Sequence, residues 1–293
     1  MPVDGFDAQN SAKQPVLWRR PPLPPPEGHW LARGLRALLV ERRLPYRMSV
    51  AVDRLCNRIG WRHKTTTAGG IRVRVRRQTC DEDFVRHILI EHDYTPPGFE
   101  IGESDVVVDV GGNIGTFALH AAQRAPRGKV LTFEPNSENY ELLLRNVALN
   151  NATNVVPARA ALSGKRGQLR LFTNRGGGGF HSVLQGRAPD QADFETVDAL
   201  SLRDVFDDHR IERCAFLKLD CEGAEYDILE NLPDEYFARI DKIVMEYHVT
   251  GLAEENHADA DRLVGRLQRL GFQIEDYRAF VGFDCGFIRA RRR

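Results

Sequence analysis

The stretch of residues 106–115 constrains the fold of this chain more than any other part of it. Four of its first five residues are valine, the composition of a strand that is buried on both faces. The chain then turns through glycines and continues from residue 114 as a predicted helix. Where a strand, a glycine turn and a helix N-terminus meet, a ligand can approach bare backbone. The stretch therefore predicts a ligand site at the end of a buried strand.

An acidic residue at a fixed distance from the glycines narrows the choice of ligand. Glu134 comes 19 residues after Gly115 and closes an apolar strand, where a carboxylate can accept hydrogen bonds from both hydroxyls of a ribose. The turn reads D-x-G-x-N-x-G rather than the G-x-G-x-x-G that admits a pyrophosphate. Asp109, ahead of the glycines, suits the ammonium group of S-adenosylmethionine, which carries no phosphate. The competing interpretation is an ordinary strand–helix turn of an α/β domain.

Length and composition describe an ordinary globular chain. Its 293 residues are 42% hydrophobic and 28% charged, which is enough to bury one large α/β core. No apolar run approaches the roughly 20 residues of a membrane helix, and the first ten residues lack a basic-then-apolar signal peptide. We therefore predict a cytoplasmic location without stable membrane insertion. The five cysteines form no C-x-x-C pair, so we predict free thiols.

The net charge of zero hides an uneven distribution of charge along the chain. Residues 1–80 contain 16 Lys and Arg against 5 Asp and Glu, whereas residues 81–293 contain 25 against 36. Such a split is typical of segments that face nucleic acid or a membrane. Because no aromatic-interleaved nucleic-acid motif accompanies the basic residues, we expect them to pack on the acidic body or to form a solvated surface, and we predict no nucleic-acid partner.

Three parts are predicted along the chain. Residues 1–28 are rich in proline and are predicted to form a disordered or polyproline-type tail. Residues 29–80 are predicted to form a basic helical extension that ends in a first strand at residues 71–76. Residues 81–293 are predicted to form the main domain, in which strands and helices alternate from residue 105 onward.

This alternation predicts a doubly wound, Rossmann-like α/β fold with helices on both faces of a mostly parallel sheet. Ser137 is the predicted N-cap of a helix. The last two strands are joined through Gly282, a link so short that we predict an antiparallel hairpin. The core strands are predicted at residues 105–110, 129–134, 154–160, 215–220 and 240–247, the helices at residues 81–92, 114–124, 137–149, 224–231 and 256–270, and the hairpin at residues 272–280 and 283–289.

A run of four glycines interrupts the alternation between the third and fourth core strands. Residues 176–179 lie between predicted strands at residues 168–173 and 194–197. We predict a lid that hinges on these glycines and excludes water from the site. The alternative is a surface loop without a role in the reaction.

The order of the motifs resembles that of the FkbM-type S-adenosylmethionine-dependent methyltransferases. The resemblance covers residues 80–290, and its most distinctive part is the K-x-D-x-E-G-x-E string that begins at Lys218. It implies a class I methyltransferase fold, S-adenosylmethionine as cofactor, and transfer of a methyl group to a hydroxyl of a sugar, glycan or secondary metabolite. The matching motifs are residues 108–115, 133–135, 160–163, 217–225 and 246–248.

Carried over position by position, the resemblance implies a cofactor site at the ends of the core strands. Glu134 would hold the ribose, Ala161 would flank the adenine, and Asp220 would border the crevice. The residues around the methionine part would be Asp109, Gly111, Asn113 and Gly115.

A second cluster of polar residues follows the fourth and fifth core strands. In the first interpretation His248 or Asp220, with Glu222 next to them in the site, takes the proton of the acceptor hydroxyl, and the ordinary histidine pKa near 6.5 suits this work. In the second, these three residues and Glu246 hold a divalent metal. In the third, Glu225 caps the start of a helix and His248 is a core histidine. We adopt the first, with Asp220, His248 and Glu222 as catalytic residues and no metal.

Two other functions stay open from the sequence. An NAD-type oxidoreductase shares the strand–turn–helix unit, but the missing second glycine of its motif and the C-terminal hairpin argue against it. A cofactor-binding scaffold without turnover is the other alternative, and the presence of Asp109, Glu134 and Asp220 argues against it. The sequence carries no signal for the identity of the acceptor or for the oligomeric state.

Overall fold

The computed structural model describes residues 52–56, 58–173, 193–248, 258–279 and 285–292. Within these ranges no helix combines the length and the apolar character that crossing a bilayer requires. The predicted tail, residues 29–51 of the predicted extension and the glycine run at residues 176–179 all lie outside the described residues.

The elements are numbered in chain order. The strands are β1 (His63–Ala68), β2 (Ile71–Arg76), β3 (Val106–Val110), β4 (Lys129–Phe133), β5 (Val155–Ala158), β6 (Ala161–Ser163), β7 (Gly167–Thr173), β8 (Asp193–Ser201), β9 (Phe216–Leu219), β10 (Lys242–His248), β11 (Phe272–Ala279) and β12 (Cys285–Arg292). The α-helices are α1 (Asp81–Arg86), α2 (Thr116–Arg124), α3 (Ser137–Leu149), α4 (Leu202–Asp208), α5 (Glu225–Glu230), α6 (Asp234–Phe237) and α7 (Ala258–Arg269), and a π-helical turn, His87–Glu91, directly follows α1.

Seven strands form the central sheet in the order β11-β12-β10-β9-β3-β4-β5. The five strands from β10 to β5 are parallel, β12 is antiparallel to β10, and β11 is antiparallel to β12. The predicted doubly wound, mostly parallel sheet with a C-terminal antiparallel hairpin is thereby confirmed. The chain leaves β3 first toward β4 and later returns to β9 on its other side, so the carboxyl end of β3 lies where ligands bind in open α/β sheets.

Both faces of β3 are buried, as its valines predict. Val107 packs with Phe117 of α2 on one face, and Val108 and Val110 belong to a larger cluster on the other. Full burial of side chains of this kind contributes about 1.5–3 kcal/mol each to the free energy of unfolding. The two clusters therefore hold the end of β3, and the turn that follows it, firmly between β4 and β9.

The hairpin of β1 and β2 packs on the main domain. Val73 and Val75 of β2 are fully buried in one cluster with Leu119 of α2 and Leu142 of α3. The strand predicted at residues 71–76 is confirmed, and it shares a core with the domain that follows it. Strand β1 escaped prediction because its three consecutive threonines show no alternation of apolar and polar residues.

Two asparagine side chains of the α3 region hydrogen-bond the outer edge of β2. The amide of Asn146 accepts from the N–H of Arg74 at 2.7 Å and donates to its carbonyl oxygen at 3.1 Å. The amide of Asn150 makes the same pair of bonds with Arg72, at 2.9 and 2.7 Å. The backbone of this edge is therefore satisfied without a neighbouring strand.

A second sheet is inserted between β5 and β9. It consists of β6, β8 and β7, with β7 and β8 antiparallel. The strands predicted at residues 168–173 and 194–197 are confirmed as parts of β7 and β8. The single strand predicted at residues 154–160 is wrong in its extent, because β5 ends at Ala158 and the chain enters the second sheet at Ala161.

Two predictions at helix starts are also wrong. Asn136, not Ser137, is the N-cap of α3, and its side chain accepts a hydrogen bond from the backbone N–H three residues on, at 3.0 Å. Helix α2 begins at Thr116 rather than at residue 114. Its start is delayed because Asn113 and Gly115, with φ of +48° and +87°, adopt a left-handed conformation that cannot continue a right-handed helix.

Candidate active site

The glycine turn after β3 presses its backbone against the end of β9. A Cβ atom added to Gly111 would lie 1.7 Å from the carbonyl oxygen of Asp220, and φ of Gly111 is +78°. The N–H groups of Gly111 and Gly112 both donate to the carbonyl oxygen of Phe133 on β4, at 3.0 and 2.9 Å. The turn therefore requires glycine at position 111, and it brings the ends of β3, β4 and β9 together.

Glu134 lies at the other side of this turn and is buried. Its carboxylate accepts hydrogen bonds from the N–H groups of Asn113 at 2.8 Å and Asn136 at 2.9 Å. Burial raises the pKa of Glu134 to about 7, although the two N–H groups favour the charged form. The predicted residues Asn113 and Glu134 are thus joined directly. The Asn139 amide also donates to Oε1 at 3.4 Å, which leaves Oε2 with a lone pair to accept a hydroxyl group.

Asp109 is fully buried behind the turn. One carboxylate oxygen accepts from the Thr132 hydroxyl at 2.7 Å, and the other is 3.2 Å from the ammonium nitrogen of Lys218. Burial raises the pKa of Asp109 against the opposing effect of Lys218. The same ammonium donates to the carbonyl oxygen of Gly111 at 2.7 Å. Asp109 therefore acts on the turn through Lys218, a residue for which the sequence suggested no role.

A cavity of about 240 Å³ opens beside the glycine turn. Gly111 and Asn113 line one side of it, and Asp220 and Glu246 line another. The third side comes from residues 84–94. The helix predicted at residues 81–92 is wrong in its second half, because the α-helix ends at Arg86 and the chain continues as the π-helical turn. The lining residues of this third side are Phe84, His87, Ile88, Asp93 and Tyr94.

Tyr94 connects two of the three carboxylates that line the cavity, those of Asp220 and Glu246. Its hydroxyl lies 2.8 Å from Oδ2 of Asp220 and 3.0 Å from Oε2 of Glu246. Its buried ring packs edge-on against Phe117 and Phe287. Burial, together with the charge of Asp220, raises the pKa of Glu246 to about 7. Tyr94 was not predicted from the sequence because it belongs to no motif. The position of Glu246 at the end of a strand suggested only that it could be a metal ligand.

His248 is buried and paired with Glu225. Its Nδ1 lies 2.9 Å from Oε1 of Glu225. The N–H of Cys221 also donates to Oε1, and that of Gly223 donates to Oε2, both at 2.9 Å. Although burial opposes the charged form, Glu225 raises the pKa of His248 to about 10. An imidazole that is already protonated at neutral pH has no free lone pair with which to accept a proton.

The second nitrogen of His248 faces the predicted Glu222. Its Nε2 lies 3.7 Å from Oε2 of Glu222 and 4.0 Å from Oε1 of Glu246. One ligand atom each from Asp220, Glu222 and His248 fall within 4.8 Å of one another, which is the arrangement that the metal interpretation requires. Because His248 carries a proton on each nitrogen in its charged form, a cation has to displace one of them to bind there.

Ala161 lies apart from these groups. Its buried side chain packs with Leu171 and Val197 inside the second sheet. The structure therefore brings together Gly111, Asn113, Glu134 and Asp220 around the turn, but it does not bring the side chain of Ala161 to the cavity. Its predicted contact with the adenine stays a prediction.

Comparison with known proteins gives a family. The model of the methyltransferase FkbM domain matches residues 109–274. Methyltransferase sdnD of Sordaria araneosa is 31% identical over 217 residues, which cover 64% of this chain and 81% of that protein. The 31-O-demethyl-FK506 methyltransferase FkbM of Streptomyces tacrolimicus is 27% identical over 236 residues, 71% of this chain and 88% of that protein. The hexuronic acid methyltransferase AglP of Haloferax volcanii is 26% identical over 212 residues, with 67% and 80% covered.

The matched span contains most of the groups that the geometry brings together. It includes the glycine turn, Glu134, the string that begins at Lys218, and both Glu246 and His248. Tyr94 and the rest of the third cavity wall precede it. The strand order agrees with the class I methyltransferase fold that the sequence resemblance implied. On the family model, the relatives and the fold together, the chain belongs to the FkbM methyltransferase domain family.

Proposed function

We propose that this chain transfers a methyl group from S-adenosylmethionine to a hydroxyl of a sugar, glycan or secondary metabolite. The observation that carries this proposal is the charge of the cavity next to the glycine turn. Asp220, Glu246 and Asp93 line it, and its buried cation, Lys218, is already paired with Asp109. Such a site attracts a sulfonium or an ammonium group and repels the pyrophosphate of NAD.

The residues present fit this cofactor. The glycine turn and Asn113 would hold the methionine part. Asp109 would hold the turn in position through Lys218, and Glu134 would accept the ribose hydroxyls. We keep Ala161, at the start of the second sheet, as the residue that flanks the adenine. When bound, S-adenosylmethionine supplies a methyl carbon that is activated by the charge on its sulfur.

The acidic side of the cavity would receive the proton of the acceptor. We propose Glu246, with Asp220 beside it, as the general base, since a pKa of about 7 matches proton transfer near neutral pH. His248 then acts as a fixed cation that positions Glu222 and Glu246. The relative from Streptomyces tacrolimicus is named for 31-O-demethyl-FK506 and the one from Haloferax volcanii for hexuronic acid, which supports an oxygen acceptor on a small molecule or sugar.

Calorimetry with S-adenosylhomocysteine and with NAD tests the cofactor. We expect S-adenosylhomocysteine to bind and NAD not to bind, and the reverse result would overturn the proposal. A turnover assay with methyl-labelled S-adenosylmethionine and candidate alcohols then separates an enzyme from a scaffold without turnover. The cytoplasmic location and the lack of a nucleic-acid partner stay predictions from the sequence.

A further inference from the structure

The contact between Tyr94, Asp220 and Glu246 needs one more proton than the phenol can supply. The Tyr94 oxygen is within hydrogen-bond distance of both carboxylates, at 2.8 and 3.0 Å. A phenol has a single proton and can donate it to only one of them. Its oxygen can make the second bond only by accepting from a group that carries a proton. A carboxylic acid on one side and a carboxylate on the other satisfy both contacts.

The charges that surround Glu246 favour the same arrangement. The facing groups are the carboxylates of Asp220 and Glu222 and the cation of His248. That cation is nearer to Glu225, at 2.9 Å, than to Glu246, at 4.0 Å.

Lys218, on the neighbouring strand β9, is also closer to a carboxylate outside the pair than to Asp220. Lys218 lies 3.2 Å from Asp109 and 3.7 Å from Asp220. Each cation therefore has a closer carboxylate, and Asp220 and Glu246 would carry two uncompensated negative charges if both were ionised. One proton on the pair removes one of these charges. The rings of Phe117 and Phe287 pack around Tyr94 and offer no polar compensation.

We propose that Glu246 holds this extra proton in the free protein and releases it to solvent when the sulfonium of S-adenosylmethionine enters the cavity. The general base is then formed only after the cofactor is bound. The inference rests on the proposed function, because it requires S-adenosylmethionine as the ligand. Glu246 and the glycine turn line one cavity, so the sulfonium charge takes the place of the charge of the proton.

The charges balance over a full cycle. On binding, the carboxylic acid of Glu246 becomes a carboxylate and its proton goes to the buffer. On methyl transfer, the acceptor hydroxyl gives its proton to Glu246 while the sulfonium becomes a neutral thioether. The product complex therefore again holds a neutral Glu246, and S-adenosylhomocysteine, which lacks the sulfur charge, has no reason to expel the proton.

Calorimetry in buffers of different ionisation enthalpy measures this proton directly. At pH 6.5, in phosphate and in imidazole, we expect S-adenosylmethionine to release roughly half a proton or more beyond S-adenosylhomocysteine. At that pH the amino groups of both ligands are protonated, and any proton from Glu134 at the ribose is common to both. The difference should vanish by pH 9, where Glu246 is ionised in the free protein. Equal proton counts for the two ligands at pH 6.5 would overturn the inference.

Matched variants locate the proton. Glu246→Gln should abolish the difference, and Asp220→Asn should reduce it, because loss of the neighbouring charge lowers the pKa of Glu246 toward its ordinary value. Asp207→Asn is the control, since Asp207 also accepts from a tyrosine hydroxyl, that of Tyr236 at 2.9 Å, but on α4. An unchanged difference in Glu246→Gln would overturn the inference alone. Failure of both ligands to bind the wild-type chain would overturn the proposed cofactor, and the inference with it.

Discussion

The glycine-turn side and the acidic side of the candidate site are held by different forces. On the glycine-turn side, Glu134 is fixed by backbone N–H groups from Asn113 and Asn136, 21 and 2 residues away along the chain. On the acidic side, Tyr94 joins two carboxylates that are 126 and 152 residues away. Backbone geometry defines the first side, whereas buried ionisable side chains define the second. Substitutions on the first side should therefore change binding and folding, and those on the second should change charge and turnover.

The largest effect is expected from Glu246→Gln on turnover. Loss of a general base lowers kcat by about 10²–10⁴-fold, while the affinity for S-adenosylhomocysteine stays close to that of the wild type. Methyl transfer from labelled S-adenosylmethionine measures kcat, and calorimetry measures the affinity for S-adenosylhomocysteine. The control is Glu230→Gln, which removes an exposed partner of Arg262 and should leave kcat unchanged. A wild-type kcat in the Glu246→Gln variant would show that the acidic side does not supply the general base.

His248→Gln tests whether the acidic side is held by charge. Breaking a buried ion pair leaves Glu225 uncompensated, so the free energy of unfolding at pH 6 should fall by about 3–5 kcal/mol. Because the pKa of His248 is raised from 6.5 to about 10, its stabilisation is fully present below pH 6.5 and is lost as the pH rises through about 10. Urea unfolding from pH 6 to 10.5 should show the two proteins converging. Parallel curves would mean that His248 is not charged in the fold.

Gly111→Ala tests the glycine-turn side. The added Cβ would meet the carbonyl oxygen of Asp220, and the backbone is left-handed there, so we expect a loss of about 3 kcal/mol in the free energy of unfolding and no cofactor binding. In Gly167→Ala the new Cβ would meet nothing within 4 Å, which makes it the matched control. Denaturant titration and calorimetry give the two readouts. If Gly111→Ala bound the cofactor as the wild type does, the close approach of Gly111 to the carbonyl oxygen of Asp220 would be contradicted.

Glu134→Gln should weaken the binding of S-adenosylhomocysteine by about 10- to 100-fold, since a hydrogen bond to a charged group contributes about 1.5–3 kcal/mol. The raised pKa of about 7 adds a pH dependence. In the wild type the affinity should increase from pH 6 to 8 as the carboxylate ionises and accepts the ribose hydroxyls. The variant should show no such increase, and an increase that persists in it would assign the titration to another group.

The smallest effect is expected from metal removal. Protonated His248 offers no free lone pair to a metal, so dialysis against a chelator should leave methyl transfer unchanged. Readdition of Mg²⁺ or Mn²⁺ to the dialysed protein serves as the control. A loss of activity that these ions restore would establish the metal interpretation instead.

The sequence predicted the side of the site that depends on local contacts. Glu134 and the glycine turn follow from the end of one strand and its spacing to the next, and the hairpin follows from the short link at Gly282. Tyr94 could not be predicted, because its partners come from distant strands and because the preceding helix changes to a π-helical turn. The charge of His248 was equally hard to predict, since Glu225, which sets it, is the first residue of α5 and lies 23 residues earlier in the chain.

The pairing of Asn146 and Asn150 with the backbone of β2 has a consequence for the behaviour of the chain at high concentration. An unpaired strand edge is a template on which other chains can add and aggregate. Here two side-chain amides, one helical turn apart, occupy the donors and acceptors that an incoming strand would need. The hairpin is closed to self-association by these amides as well as by the arginines of that edge, so replacing both asparagines should favour fibrous aggregates before it changes the chemistry of the site.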